Sequence, residues 1–272
     1  MTFYQKIRSI QRKNKSLLCI GLDTDISKIP EFLLSYGDPI VEFNRRIIEA
    51  TKDIVCAYKL NLAFYESLGE HSWSTVHRTL SFIPTEIVTV GDAKRGDIGN
   101  SAQMYAKLIV DDYNFTACTV SPYMGEDSVK PFLRNTNKGV FVLAVTSNPG
   151  AKDLQYLRVR KRPLYEHVIG LVKKWNSKNN CGLVVGATRP TELKRVRELA
   201  PEMPLLIPGI GAQGGNLKSA VRFGCDKHAE MALINAGRSV IYASNSEDFA
   251  QSARTAAIKL QDEINLCREE FF

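Results

Sequence analysis

Eight short apolar runs recur along this chain, at residues 17–22, 54–60, 86–91, 115–120, 139–145, 183–187, 205–208 and 232–236. Each is strand-length and apolar throughout rather than alternating, the pattern of strands covered on both faces. Helical periodicity fills the gaps. Ile40, Phe43, Ile47 and Ile48 mark one amphipathic stretch, and Leu164, Val168, Leu171, Val172 and Trp175 mark another. A last one carries Phe249, Ala253, Ala256, Ala257, Leu260 and Ile264 on one side. Eight such units in 272 residues predict an α/β fold, a single-domain (β/α)8 TIM barrel over 1–272, in preference to a doubly wound open sheet.

A barrel of this kind gathers the C-terminal ends of its strands around one mouth, and polar residues at those ends share a pocket. Asp23 closes the first run, Lys59 and Asn61 close the second, and Asp92 and Lys94 close the third. Asp92 and Lys94 are two residues apart, so an extended backbone sends both side chains to one face. Asp97 follows Gly96, a residue suited to turning the chain out of a strand. A solvated salt bridge would explain one such pair, but charges at three successive strand ends point to a common site. Thr146 and Ser147 follow the fifth run, and the long connection from Thr146 to Arg162 has room for a lid.

Two later stretches suit an anion. Pro208-Gly209-Ile210-Gly211-Ala212-Gln213-Gly214-Gly215 allows backbone N–H groups close to a ligand, with Gln213 as an additional donor. Gly237-Arg238-Ser239 follows the eighth run and opens a helix, where the guanidinium favours phosphate. The spacing of Gly209, Gly211 and Gly214 matches a dinucleotide fingerprint literally, but that motif belongs after a first strand, with an acid ending the next one. Here it comes late and Glu230 precedes the following strand, so a dinucleotide site is rejected.

Composition narrows the partners. The formal charge of +7 admits anions. The one dense basic patch, Arg158-Val159-Arg160-Lys161-Arg162, lacks the interleaved aromatics of a single-strand binding platform, so no nucleic-acid partner is expected. That patch reads as a solvated loop, with steering of an anionic substrate as the alternative. No apolar run reaches membrane-spanning length, and the short run after the basic N-terminal residues is no secretory signal, so neither membrane nor export is expected. Cys19, Cys56, Cys118, Cys181, Cys225 and Cys267 are dispersed without a C-x-x-C pair, which fits buried reduced thiols in a cytoplasmic protein. The four histidines lack ligand spacing, and no metal site is predicted.

Taken together, Gly21-Leu22-Asp23, Tyr58-Lys59-Leu60-Asn61, Asp92-Ala93-Lys94-Arg95-Gly96-Asp97-Ile98, the Pro208–Gly215 loop and Gly237-Arg238-Ser239 resemble the orotidine 5′-phosphate decarboxylase family, in its longer bacterial form. The D-x-K-x-x-D core is shared with related phosphosugar decarboxylases and synthases, whereas Lys59 is a lysine those magnesium-dependent relatives lack. The resemblance implies a metal-free and cofactor-free decarboxylation of orotidine 5′-phosphate to uridine 5′-phosphate. It implies a charged tetrad of Lys59, Asp92, Lys94 and Asp97, with Lys94 as proton donor. It also implies a homodimer in which Asp97, accompanied by Ile98 and Ser101, serves the site of the other subunit. By the same resemblance Asp23 and Lys59 hold the ribose, Ser147 the pyrimidine, and Gln213, Gly237 and Arg238 the phosphate, with Asn61, Pro208 and Gly214 completing the pocket. Three readings compete with it: a phosphosugar enzyme of the same superfamily, a Schiff-base aldolase using Lys59 or Lys94, and a non-catalytic phosphate-binding barrel. The aldolase needs a neutral lysine, which neighbouring aspartates oppose.

Overall fold

A computed structural model describes residues 1–211 and 215–272. Eight parallel strands close into a barrel: β1 (Leu18–Gly21), β2 (Ala57–Asn61), β3 (Val88–Arg95), β4 (Ala117–Val120), β5 (Gly139–Val145), β6 (Cys181–Val185), β7 (Leu205–Pro208) and β8 (Ala232–Ala236). Neighbours in space are neighbours in sequence, and β8 returns to β1 with Leu18 level with Ile234. Helices between the strands cover the outer surface, so strand side chains face either the barrel interior or a helix and both faces are dry. This is the predicted (β/α)8 barrel. Every predicted run forms a barrel strand, although β3 continues through the charged residues to Arg95.

Local chemistry sets the helices. Asp38 accepts a hydrogen bond from the Val41 N–H and Pro39 occupies the first turn, which starts the helix Pro39–Thr51. Its buried face, Phe43 and Ile47 included, meets the final helix Phe249–Phe271, where Phe249 stacks on Phe43 with ring centroids 5.0 Å apart. The helix Leu164–Trp175 differs from expectation. It buries Tyr165, Ile169, Val172 and Trp175, and Leu171 lies off that stripe and is exposed.

The connection after β5 forms a short helix, Ala151–Leu154, and a two-stranded hairpin pairing Arg158–Val159 with Arg162–Pro163. Its basic residues Arg158, Arg160, Lys161 and Arg162 are exposed, as a solvated loop requires. All six cysteines are free and buried; Cys19 and Cys118 lie within strands, whereas Cys56 immediately precedes β2.

The N-terminal helix Phe3–Lys13 lies across the N-terminal ends of the strands. Thr2 and Gln5 cap it reciprocally. The Gln11 side chain bridges the Ala232 carbonyl and the Met231 N–H, and the Tyr4 hydroxyl donates to the Cys181 carbonyl. Phe3 is fully buried over Gly139, where an added Cβ would lie 2.2 Å from the ring. Gly139→Ala must therefore displace Phe3 from beneath β5. The expected loss is about 1–3 kcal/mol, read as a lowered urea midpoint at unchanged slope; a midpoint equal to that of the unsubstituted protein would show that Phe3 is not held there.

Candidate active site

The C-terminal ends of the strands enclose a cavity of about 390 Å³, walled by Asp23, Lys59, Asp92, Lys94, Ser147 and Arg238 among others. Lys59 stands at its floor. It projects from β2 with only 4% of its side chain exposed, and its Nζ donates to Asp23 Oδ1 at 3.1 Å and Asp92 Oδ2 at 3.2 Å. Burial opposes a charge there, but the two carboxylates outweigh it and hold the Lys59 ammonium above the usual lysine range. The other Asp92 oxygen, Oδ1, accepts from Lys94 Nζ at 2.7 Å and from the Thr119 hydroxyl at 2.8 Å. Burial would raise the Asp92 carboxyl, yet Lys59 and Lys94 together bring it down to about 2. Asp23, Lys59, Asp92 and Lys94 thus form an unbroken row of alternating charge, with the Lys94 end open to solvent.

The scaffold holds each member. Leu22 extends the β1–β2 pairing through its N–H to the Lys59 carbonyl, and the Tyr65 hydroxyl donates to the Leu22 carbonyl. Tyr242 accepts from the Asp25 N–H and donates to the Asp23 carbonyl, which pins the loop carrying Asp23 beyond the end of β1. After β5, the Gln155 amide pairs reciprocally with Thr146: its oxygen accepts from the Thr146 N–H and its nitrogen donates to Thr146 Oγ1. Gly186 lets the chain after β6 pass closely, since a Cβ there would meet Ser147 at 3.0 Å.

The structure brings Asp23, Lys59, Asn61, Asp92, Lys94, Ser147, Pro208, Gly237 and Arg238 together around this one cavity. Asn61 has a second task, accepting from the Ala63 N–H to cap the helix Leu62–Glu66. Gln213 and Gly214 lie outside the described residues. Asp97, Ile98 and Ser101 stand apart from the cavity wall; Asp97 accepts from the Ile98 N–H, while Ile98 and Ser101 are exposed. The chain leaves β3 at Gly96 as expected, but the left-handed residues are its neighbours Lys94 at φ 48° and Gly99 at φ 55°. Asp92 and Lys94 do meet, but through that bend and not through regular strand alternation. Thr119, Tyr65 and Tyr242 also hold the site, though no sequence motif marks them. Thr119 was visible as the one hydroxyl in the run Ala117-Cys118-Thr119-Val120.

A larger cleft of about 620 Å³ opens at the opposite end of the barrel. Two of its three arginines are held by polar partners, Arg8 by Asp226 and Glu230 and Arg197 by backbone carbonyls including those of Ala200 and Met203, while Arg222 lies over the rings of Phe223 and Phe271. That end therefore reads as structural. Among the described residues no group of three or more His, Cys, Asp or Glu side chains could hold a metal ion, and no helix is long and apolar enough to cross a membrane.

A closed (β/α)8 barrel whose mouth carries a row of alternating charges, with Gly209, Gly237 and Arg238 lining the same cavity, defines a barrel enzyme. Residues 16–253 match the model of the orotidine 5′-phosphate decarboxylase / HUMPS family, and the chain belongs to that family. It is 47% identical over 275 residues to an orotidine 5′-phosphate decarboxylase of Dehalococcoides mccartyi, covering all of both chains. Among solved structures it is similar to the orotidine monophosphate decarboxylase of Leishmania donovani, at 40% identity and a TM-score of 0.87, covering 98% of this chain and 99% of that one. It is also similar to the UMP synthase of Leishmania donovani, at 41% identity and a TM-score of 0.88; 98% of this chain is covered, but it spans only 57% of that longer protein.

The depressed Asp92 carboxyl has a consequence for stability. Its folded value, about 2, lies below its unfolded one, so its contribution is complete above about pH 4 and is lost as pH falls towards 2. The stability gap between the wild type and Asp92→Asn is therefore expected to shrink by about 2 kcal/mol across that window, in denaturant titrations at pH 6 and at successively lower pH. A gap independent of pH would contradict the charge assignment.

Proposed function

We propose that this chain decarboxylates orotidine 5′-phosphate to uridine 5′-phosphate without metal or cofactor. The observation that carries the reading is the Asp23–Lys59–Asp92–Lys94 row, which keeps an ammonium fixed at the open end of a buried charge network. Family membership and the names of close relatives support it. Loss of CO₂ from the pyrimidine leaves an electron pair on C6, and a pre-placed ammonium stabilises that charge as it develops and then supplies the replacing proton. Lys94 takes this role, and Asp92 holds its Nζ in place through the 2.7 Å ion pair. Lys59 separates Asp23 from Asp92, whose charges would otherwise repel. Its raised protonation also argues against a Schiff base at Lys59.

The remaining contacts follow the substrate outward. Asp23 and Lys59 face the ribose hydroxyls, Ser147 the pyrimidine, and Gly237 and Arg238 the phosphate together with Gln213. Binding energy from the phosphate, far from the reacting carbon, orders the site around it. Asp97 is the member contributed by a second copy of the chain. Ile98, Met104, Tyr123 and Met124, which follow Asp97 in the chain, are large apolar side chains left 49–77% exposed, as residues that meet a partner would be. Ile98 and Ser101 go with Asp97 across that interface.

Orotidine 5′-phosphate should lose its absorbance when mixed with pure protein in excess chelator. Lys94→Ala is expected to lower kcat by about 10³-fold or more while nucleotide binding persists; near-normal turnover would remove Lys94 as the acid. A shared site makes a second, independent demand. Lys94→Ala and Asp97→Ala homodimers are each inactive, but a mixed dimer has one site with both residues intact. Equimolar mixing after subunit exchange should recover about a quarter of wild-type activity. No recovery, with exchange confirmed by mass, would show that Asp97 serves its own chain's site.

A further inference from the structure

The β3–β4 ladder loses its regular register where the charged row begins. Gly91 is level with Cys118 and Arg95 with Val120, so four steps along β3 span what two steps span along β4. The surplus is a bulge at Asp92-Ala93-Lys94, and within it Lys94 takes the left-handed conformation at φ 48°. A residue with a Cβ is strained there, and such strain persists only where the surroundings impose it.

Thr119 lies opposite the bulge and is 1% exposed. Its hydroxyl accepts from the Lys94 N–H at 2.9 Å and donates to Asp92 Oδ1 at 2.8 Å. Both directions are fixed by chemistry, because a backbone N–H can only donate and an ionised carboxylate can only accept. The same Asp92 oxygen receives Lys94 Nζ at 2.7 Å. Backbone and side chain of Lys94 are thereby tied into one closed ring, through Thr119 at one end and Asp92 at the other.

We infer that Thr119 is a positioning residue for the Lys94 ammonium, its hydroxyl holding the bulge in the left-handed shape that aims Nζ at the reacting carbon. It acts through Asp92 and the Lys94 backbone and does not itself form part of the cavity wall. A regular strand would carry Lys94 on by alternation, with its amide in the ladder and its side chain directed by the pleat; the bulge replaces that with a geometry one hydroxyl fixes. This inference rests on the decarboxylase reading for its kinetic consequence but not for its geometric one.

Thr119→Val keeps the shape and burial of the side chain and removes only the hydroxyl. The expected result is a kcat at least about tenfold lower, per nucleotide-binding site, with KM for orotidine 5′-phosphate changed by less than about threefold. Thr119→Ser, which restores the hydroxyl, should return kcat to within about threefold of wild type. A purely structural role would instead reduce the number of competent sites and leave kcat per site unchanged, and that outcome overturns the proposal. If Thr119→Val does not fold, Thr119→Cys, with its weak donor, is tested against the same expectations. A crystal structure of the substituted protein decides the geometry without turnover: Lys94 is expected to leave positive φ and Nζ to move out of hydrogen-bond reach of Asp92 Oδ1. Retention of both contradicts the inference even if the wild type proves inactive on orotidine 5′-phosphate, a result that would by itself overturn only the decarboxylase reading.

Discussion

An ammonium group at the floor of an apolar barrel is tolerable only when counter-charges meet it there, and Lys59 imposes that condition on everything around the mouth. Removing one ionic group from water and leaving it unpaired costs several kcal/mol, far more than a surface ion pair returns. Asp23 and Asp92 must therefore arrive from β1 and β3 at fixed distances, and each arrival makes further demands. Asp23 sits beyond its strand, so Tyr65 and Tyr242 fasten the loop that carries it. Asp92 has a second oxygen to satisfy, and Lys94 and Thr119 do so. The row thus grows outward from a single buried charge, and each added member answers an electrostatic need created by the one before it.

The candidate site and the ion pairs of the first helix occupy opposite ends of the barrel. At the N-terminal end, Arg8 and Arg12 converge on Glu230, and Arg8 also reaches Asp226. These pairs join the first helix to the segment before β8. Gln11 continues the seam with two backbone hydrogen bonds. At the mouth, the ion pairs of the charged row instead border a cavity. This division lets loops at one end carry chemistry while the other resists opening.

The barrel was legible because fully covered strands leave an unmistakable trace, runs of Val, Ile and Leu without alternation, and eight such runs leave few ways to close. The charged row was legible for a related reason: a strand end is a location, so the sequence alone assigns Lys59 and Asp92 to one mouth. The bulge was not. Regular strand periodicity placed Lys94 beside Asp92 correctly, yet the route is a left-handed bend, and β-branched composition says nothing about surplus residues in a ladder. Thr119 escaped notice because a threonine inside a strand usually signifies strand propensity; its role depends on what faces it across the sheet. Leu171 fits the apolar spacing yet is exposed, because spacing alone does not say which neighbouring stripe meets the sheet. The place of Asp97 is a different matter, since on the proposed reading its partners lie on another copy of the chain.

All six thiols are buried, and loss of hydration raises every one of them, those of Cys56, Cys118, Cys181 and Cys225 up to about 12, which disfavours the thiolate. Alkylating reagents can modify such groups only during excursions that expose them. With cysteines distributed from β1 to the final helix, the order in which they become labelled would chart which parts of the barrel open first.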